Sequence, residues 1–300
     1  MSKTLIVITG PTAVGKTAAA IALAQRLHCD IINADSRQIY RGIPICTAAP
    51  SPEELTAVRH HFVAFKNLVE SYSAAQFEAD VLSLLPSLWQ QSDYAVMCGG
   101  SMLYVDAVCR GIDQLPDISP EVRNDVKEKL AREGLESLVE ELERLDPLYA
   151  ATIDRKNTSR VCHGVEICRQ AGVPYSTLRT GTDKPRDFNI VKLALNIERD
   201  ELFSRINRRV DRMIEAGLEQ EARSVYHLRH LNALNTVGMK EMFAYFDGTM
   251  DRRTAIERIK KNTRVYAKKQ LTWYRRDPNI TWVTPAIALP TALDLIGVVQ

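Results

Sequence analysis

Gly10-Pro11-Thr12-Ala13-Val14-Gly15-Lys16-Thr17 decides the fold. The stretch matches GxxxxGK[ST] in full, and its flanks read as a strand and a helix. Residues 4–9 (TLIVIT) are a short apolar, β-branched run ending at Gly10, as a buried parallel strand would. Residues 16–27 (KTAAAIALAQRL) have helix-forming composition. Glycines let the backbone wrap closely around an anion, while successive N–H groups and the helix N-terminus supply partial positive charge. Lys16 adds a full charge, and the Thr17 hydroxyl can reach a phosphate or a Mg²⁺ ion. The expected phosphate cradle is therefore Gly10, Thr12, Ala13, Val14, Gly15, Lys16 and Thr17. Composition alone produces such a match in on the order of one chain per hundred. The strand–loop–helix context is what gives it weight.

Two further apolar runs follow. Asp30-Ile31-Ile32-Asn33-Ala34 ends at Asp35, and Tyr94-Ala95-Val96-Met97-Cys98 ends at Gly99-Gly100. Strands alternating with helices predict a doubly wound α/β core. The character then changes at Ser119-Pro120-Glu121, which reads as a helix start: Ser caps, Pro suits the first helical position and Glu complements the dipole. Val122, Val126 and Leu130, then Leu135, Leu138, Leu142 and Leu145, recur at helical spacing between charges. Asp146-Pro147 closes that stretch, and the turn-rich TGTDKP at 180–185 ends the helical segment. A strand-like run returns at Ile190 to Ile197, followed by helical sequence to about residue 276. The expectation is an α/β, P-loop NTPase-like parallel sheet core, residues 1–114 and 189–300, with a helical insertion domain at 115–188 and a helical C-terminal region.

Three hundred residues with 45% hydrophobic and 25% charged side chains can bury a sizeable core without staples. A net charge of +2 implies no partner by itself, so any basic surface must be local. The six cysteines show no CxxC pair and no zinc-like His spacing; Cys29, Cys98 and Cys109 read as small core residues. The apolar start runs into the cradle rather than a cleavage site, and no run approaches the ~20 apolar residues of a membrane span. A reduced, cytoplasmic protein is expected, without a membrane and without an obligate protein partner.

A phosphate cradle does not specify a reaction. Most P-loop proteins place an acid after a later hydrophobic strand to hold Mg²⁺ or its water. Here YAVMC ends in Gly99-Gly100-Ser101, and the carboxylate instead follows the second strand as Asp35. At a strand's C-terminal end Asp35 should face the ligand crevice beside the cradle; a turn-capping Asp is the alternative. Toward the C-terminus, Asp251 to Arg276 holds ten Lys or Arg against two acids, with Tyr266, Trp273 and Tyr274 interleaved. One-sided charge with stacking residues suits an RNA surface, although Trp273 alone suits a core better. His60-His61 is a poor metal pair, since neighbours on a strand point to opposite faces.

GPTAVGKT, DSRQIY (35–40), TAAP (47–50), YSAAQF (72–77), GGSMLY (99–104) and AKKQLTWYRR (267–276) together resemble the bacterial tRNA dimethylallyltransferases, in order along nearly the whole chain. The resemblance implies transfer from dimethylallyl diphosphate to N6 of the adenosine immediately 3′ of the anticodon (position 37) of tRNA. It implies that the cradle holds the diphosphate, that Asp35 is the general base, and that Arg209 clamps the diphosphate; Mg²⁺, reached by the Thr17 hydroxyl, is the expected cofactor. It further implies tRNA contacts from Asp35, Ser36, Arg37, Gln38, Ser101, Arg123, Arg160, the segment from Asn235 through Gly238 to Lys240, and Lys268, Lys269, Gln270, Trp273 and Arg275. Ser101 stands where the family commonly has Thr, His163 where a second Arg is usual, and Met239 where Tyr is frequent. The alternatives are an adenylate prenyltransferase acting on free nucleotide, a P-loop small-molecule kinase, and an RNA-binding module without activity. The insert and the basic segment favour RNA over a free nucleotide, and no Arg-rich nucleotide lid is recognisable.

Overall fold

Thr4–Thr9 forms β1, with every residue buried, as a strand covered on both faces must be. The computed structural model describes residues 3–298. Around β1 stand β2 (Ile31–Asn33), β3 (His60–His61), β4 (Tyr94–Cys98), β5 (Asn189–Leu195) and β6 (Ile280–Val283) in the order β3-β2-β4-β1-β5-β6. All five pairings are parallel, which fixes every crossover as a helix or long loop over a face. The fold is the P-loop NTPase-like parallel sheet expected from the sequence.

Alternation along β1 divides the core. Ile6 and Ile8 pack with Val96, Leu193 and Leu195 against the helix Lys16–Leu27 through Ala20, Leu23 and Ala24. Leu5 and Val7 face the other way, onto Phe77, Val81 and Leu85 of the helix Ala74–Leu88 and Val105 and Val108 of the helix Met102–Arg110. A third cluster joins Ile39 and Ile43 to Val210, Met239, Met242 and Ile259 from the later helices. That third cluster ties the segment after Asp35 to the helices Arg199–Glu215 and Arg252–Tyr274.

The chain divides into two compact units: residues up to 109 with those from 185 onward, and residues 110–184. In the smaller unit, Ser119 caps the helix Pro120–Leu145, its hydroxyl accepting from the Val122 N–H at 3.3 Å. Gly134 (φ 81°) breaks that helix between Leu130 and Leu135, where the apolar spacing also changes phase. Val126, Leu138, Leu142, Val161 and Val165 form this unit's core with Tyr149 and Tyr175. Asp146, 1% exposed, ends one helix and caps the next, accepting from the Tyr149 N–H and, through its other oxygen, from the Ser176 N–H. A buried carboxylate so completely bonded costs little to keep there.

Candidate active site

The cradle leaves the end of β1 through backbone that few residues tolerate. Gly10 has φ 134°, and a Cβ there would stand 2.5 Å from the Leu195 carbonyl oxygen. Gly15 (φ 107°) begins the helix, and Ala13 holds φ 66° between them, a cost of order 1–3 kcal/mol for a side chain. The half-buried Lys16 ammonium donates to the carbonyls of Gly10 (3.0 Å) and Pro11 (2.8 Å), curling back over its own loop. Burial, with Arg209 nearby, lowers its pKa from 10.5 to about 8; Cys98 and Asp35 pull the other way.

The helix Arg199–Glu215 runs beside the cradle and presents successive turns to it. Arg205 reaches the Val14 carbonyl at 3.4 Å, and four residues on, Arg209 donates to the Thr12 hydroxyl at 3.3 Å. Burial holds the Arg209 guanidinium below its ordinary value, opposed first by the Asp35 carboxylate. A guanidinium stays protonated regardless, so it is a desolvated cation aimed at the cradle.

Asp35 fulfils both readings of its position. Its Oδ1 accepts from the Arg37 N–H at 2.9 Å and, more weakly, from the Gln38 N–H at 3.4 Å, which is a turn cap. Its other oxygen makes no hydrogen bond to any described residue, and the side chain lines both large clefts of this unit. One cleft, of 1380 Å³, is lined by Thr12, Ala13, Gly15, Lys16 and Thr17 of the cradle and by Arg205, with Gly10 and Val14 behind it; the other, of 530 Å³, is lined by Ser36, Arg37, Ser101, Asn235 to Gly238, Lys240 and Lys269. They share Thr12, Asp35, Thr47, Arg209, Met213 and Tyr266. A group held in the first cleft therefore meets a group held in the second at Asp35 and Arg209.

The remaining expected residues divide sharply. Ser36 and Ser101 are bonded to each other: the Ser36 N–H donates to Ser101 Oγ at 2.8 Å, and the hydroxyls pair at 3.0 Å. Arg37 spends its guanidinium on the carbonyls of Asn232 (2.8 Å) and Ala233 (3.2 Å), and Gln38 donates to those of Thr47 (3.1 Å) and Ala48 (3.0 Å). Arg37 thereby shapes the wall of the second cleft and Gln38 that of the first. Gly238, at φ 100°, comes so close to Cys46 that a Cβ would sit 2.7 Å from its Sγ. Lys240 and Lys269 line the second cleft, but Lys268 and Arg275 line a separate groove of 510 Å³ beside Phe203. Trp273 donates its indole N–H to Asp106 at 2.8 Å and packs on the sheet's helical layer. Gln270 is 2% exposed. Both residues thus face inward rather than toward the basic surface, because neighbours on a helix point about 100° apart. Arg123 and Arg160 lie on the helices Pro120–Leu145 and Thr158–Ala171 of the smaller unit, where Arg123 adds to burial in lowering the His163 pKa. Met213 was not anticipated; it stands one helical turn beyond Arg209, the spacing that could have found it.

A parallel sheet, a P-loop at the end of β1 and a carboxylate lining the same cleft define an α/β protein of the P-loop class. The IPP transferase family model matches residues 38–277, and the chain belongs to that family. It is 52% identical over 293 residues to tRNA dimethylallyltransferase 2 of Porphyromonas gingivalis, covering 98% of both chains. With tRNA dimethylallyltransferase 2 of Parabacteroides distasonis it shares 50% identity over 281 residues, 94% of both chains. The tRNA isopentenylpyrophosphate transferase of Bacillus halodurans superposes with a TM-score of 0.71 at 36% identity, covering 98% of this chain and 96% of that one. A eukaryotic dimethylallyltransferase acting on tRNA shares the fold, with a TM-score of 0.80 at 24% identity over 99% of this chain and 81% of that one. No helix among the described residues is long and apolar enough to cross a membrane.

Proposed function

We propose that this chain transfers a dimethylallyl group from dimethylallyl diphosphate to N6 of the adenosine immediately 3′ of the anticodon (position 37) in tRNA, releasing diphosphate. The observation that carries this reading is the meeting of two clefts at Asp35 and Arg209. One is built for an anion, and the other is walled by polar residues and two lysines. An adenine amine is a weak nucleophile because its lone pair is delocalised into the ring. As its nitrogen bonds to the allylic carbon, the carbon–oxygen bond breaks and its electron pair leaves on the diphosphate. Lys16 and Arg209 stabilise that departing charge. The unbonded oxygen of Asp35 takes the proton that the nitrogen sheds. The target base must leave the anticodon-loop stack to reach Asp35, as base-modifying enzymes require.

A divalent cation fits the donor cleft in a limited way. Among the described residues no cluster of three or more His, Cys, Asp or Glu could hold a metal alone. The Thr17 hydroxyl lines the cleft, and Mg²⁺ commonly takes most of its ligands from substrate phosphates and water. Thr17 would hold Mg²⁺ on the donor, and the ion would supply charge neutralisation to the diphosphate. Arg123 and Arg160 of the smaller unit, residues 110–184, add phosphate contacts to the tRNA, as do Lys240, Lys268, Lys269 and Arg275. With tRNA as acceptor the enzyme acts in the cytoplasm.

Acceptor choice tests this reading. Purified protein should prenylate an anticodon stem-loop RNA and leave free adenylate untouched. Preferential reaction with adenylate, or brisk ATP hydrolysis without RNA, would replace it with the nucleotide prenyltransferase or kinase reading.

A further inference from the structure

Among the buried polar side chains described, Gln270 is the one whose amide touches the cradle itself. It lies on the helix Arg252–Tyr274 and is 2% exposed. Its Oε1 accepts the Thr12 N–H at 2.9 Å, and its Nε2 donates to the Gly100 carbonyl at 2.8 Å. The two ends of the amide meet one donor and one acceptor, so only one orientation of the group satisfies both. Gly100 is what admits it: a Cβ there would stand 2.4 Å from Nε2. The amide therefore bridges the cradle after β1 to the turn after β4, at the mouth of the sheet where the donor sits.

The consequence falls on Thr12. With its N–H turned back to Gln270, that N–H is not offered to the anion, and its hydroxyl is left to receive Arg209. The cradle is not stiff by itself, since Gly10 and Ala13 on either side hold positive φ. A loop bent at two such points needs an external anchor to keep one shape. On the same helix, the residue before Gln270, Lys269, lines the acceptor cleft. Successive residues thus serve the two substrates.

We propose that Gln270 is a positioning residue for the diphosphate donor, acting through Thr12 and Gly100, and that it makes no contact with tRNA. The inference rests on the donor and acceptor clefts of the proposed function, and it moves Gln270 from the RNA surface to the donor side. Gln270→Met keeps the length and removes both bonds. Gln270→Glu keeps an acceptor for Thr12 but sets an anionic oxygen against the Gly100 carbonyl until it is protonated.

The test measures binding of inorganic diphosphate with Mg²⁺ by calorimetry and of an anticodon stem-loop RNA by anisotropy, with the full chain. Diphosphate should bind Gln270→Met about 10- to 100-fold more weakly, by loss of two buried bonds, with RNA affinity within about twofold. For Gln270→Glu, diphosphate affinity relative to the unsubstituted protein should recover as pH falls, since the neutral acid can donate to Gly100 again. That recovery also serves should Gln270→Met fail to fold. Unchanged diphosphate affinity in a folded Gln270→Met protein, or an RNA defect with intact diphosphate binding, would overturn the inference. So would a Gln270→Glu deficit independent of pH. A parent protein that binds no diphosphate would instead overturn the functional reading beneath it.

Discussion

Asp35→Asn separates the turn cap that Asp35 makes from the proton transfer proposed for it. The cap depends on Oδ1, which accepts from Arg37 at 2.9 Å and from Gln38 at 3.4 Å. An asparagine oxygen keeps that geometry and loses only the charge assistance, so the folding cost is about 1 kcal/mol. The other oxygen becomes an amide nitrogen that can neither accept a proton nor oppose positive charge on the amine. Losing a general base slows turnover by roughly 10²–10⁴, which is about 3–5 kcal/mol on the barrier. The barrier effect therefore exceeds the folding effect severalfold, and the two are measured independently. Single-turnover transfer to an anticodon stem-loop reads the first, and urea unfolding reads the second. Donor and RNA affinities should stay near those of the parent, because neither cleft loses a cation. A folded Asp35→Asn enzyme that keeps more than about a tenth of the parent rate would leave Asp35 a cap and nothing more.

Further outcomes follow from the same geometry. Lys16 must be charged to bind the donor, and burial lowers its pKa to about 8; kcat/KM for dimethylallyl diphosphate should therefore fall as pH rises through that value. In kcat, which reports the loaded enzyme, the limb should move to higher pH because the bound anion favours the ammonium; a pH profile without an alkaline limb in kcat/KM would contradict this. Lys268→Ala, Lys269→Ala and Arg275→Ala should each flatten the salt dependence of RNA binding by about 0.7–0.9 for every phosphate left without its cation. Only Lys269→Ala should also slow transfer, since it alone of the three lines the acceptor cleft; equal kinetic effects from all three would refute that division. Met213→Ala should open the junction of the clefts and raise the relative kcat/KM for a ten-carbon allylic diphosphate about tenfold, and an unchanged preference would show that the prenyl chain lies elsewhere.

The reading from sequence succeeded where physical periodicity is strong. TLIVIT is buried at all six positions, and the helix start read at Ser119-Pro120-Glu121 is where Ser119 caps the helix Pro120–Leu145. Two edge strands left little trace: His60–His61 spans two residues and Ile280–Val283 four, too short for a period to register. Thr12, Ala13, Gly15, Lys16 and Thr17 of the P-loop share one cleft with Asp35 and Arg209; the first six follow the ends of β1 and β2, whereas Arg209 comes from the helix Arg199–Glu215. The C-terminal basic run was harder to divide. Its residues are adjacent in sequence, yet the helix sends Lys269 to the acceptor cleft, Gln270 to the cradle, Trp273 to Asp106 and Lys268 with Arg275 to another groove. Only the neighbours across each face settle such a division. The expected boundaries near residues 114 and 188 lie within a few residues of the observed division at 109/110 and 184/185; chain composition changes gradually there, whereas packing changes at once.

The most direct test follows isotope-labelled dimethylallyl diphosphate into RNA. Full-length tRNA is incubated with the purified protein, donor and Mg²⁺, digested to nucleosides and analysed by mass spectrometry, with released diphosphate counted alongside. One labelled five-carbon group should appear on N6 of the adenosine immediately 3′ of the anticodon, with one diphosphate per group transferred and none released without RNA. Unmodified adenosine at that position, with the label recovered in free nucleotide or in prenyl alcohol, would contradict transfer to tRNA.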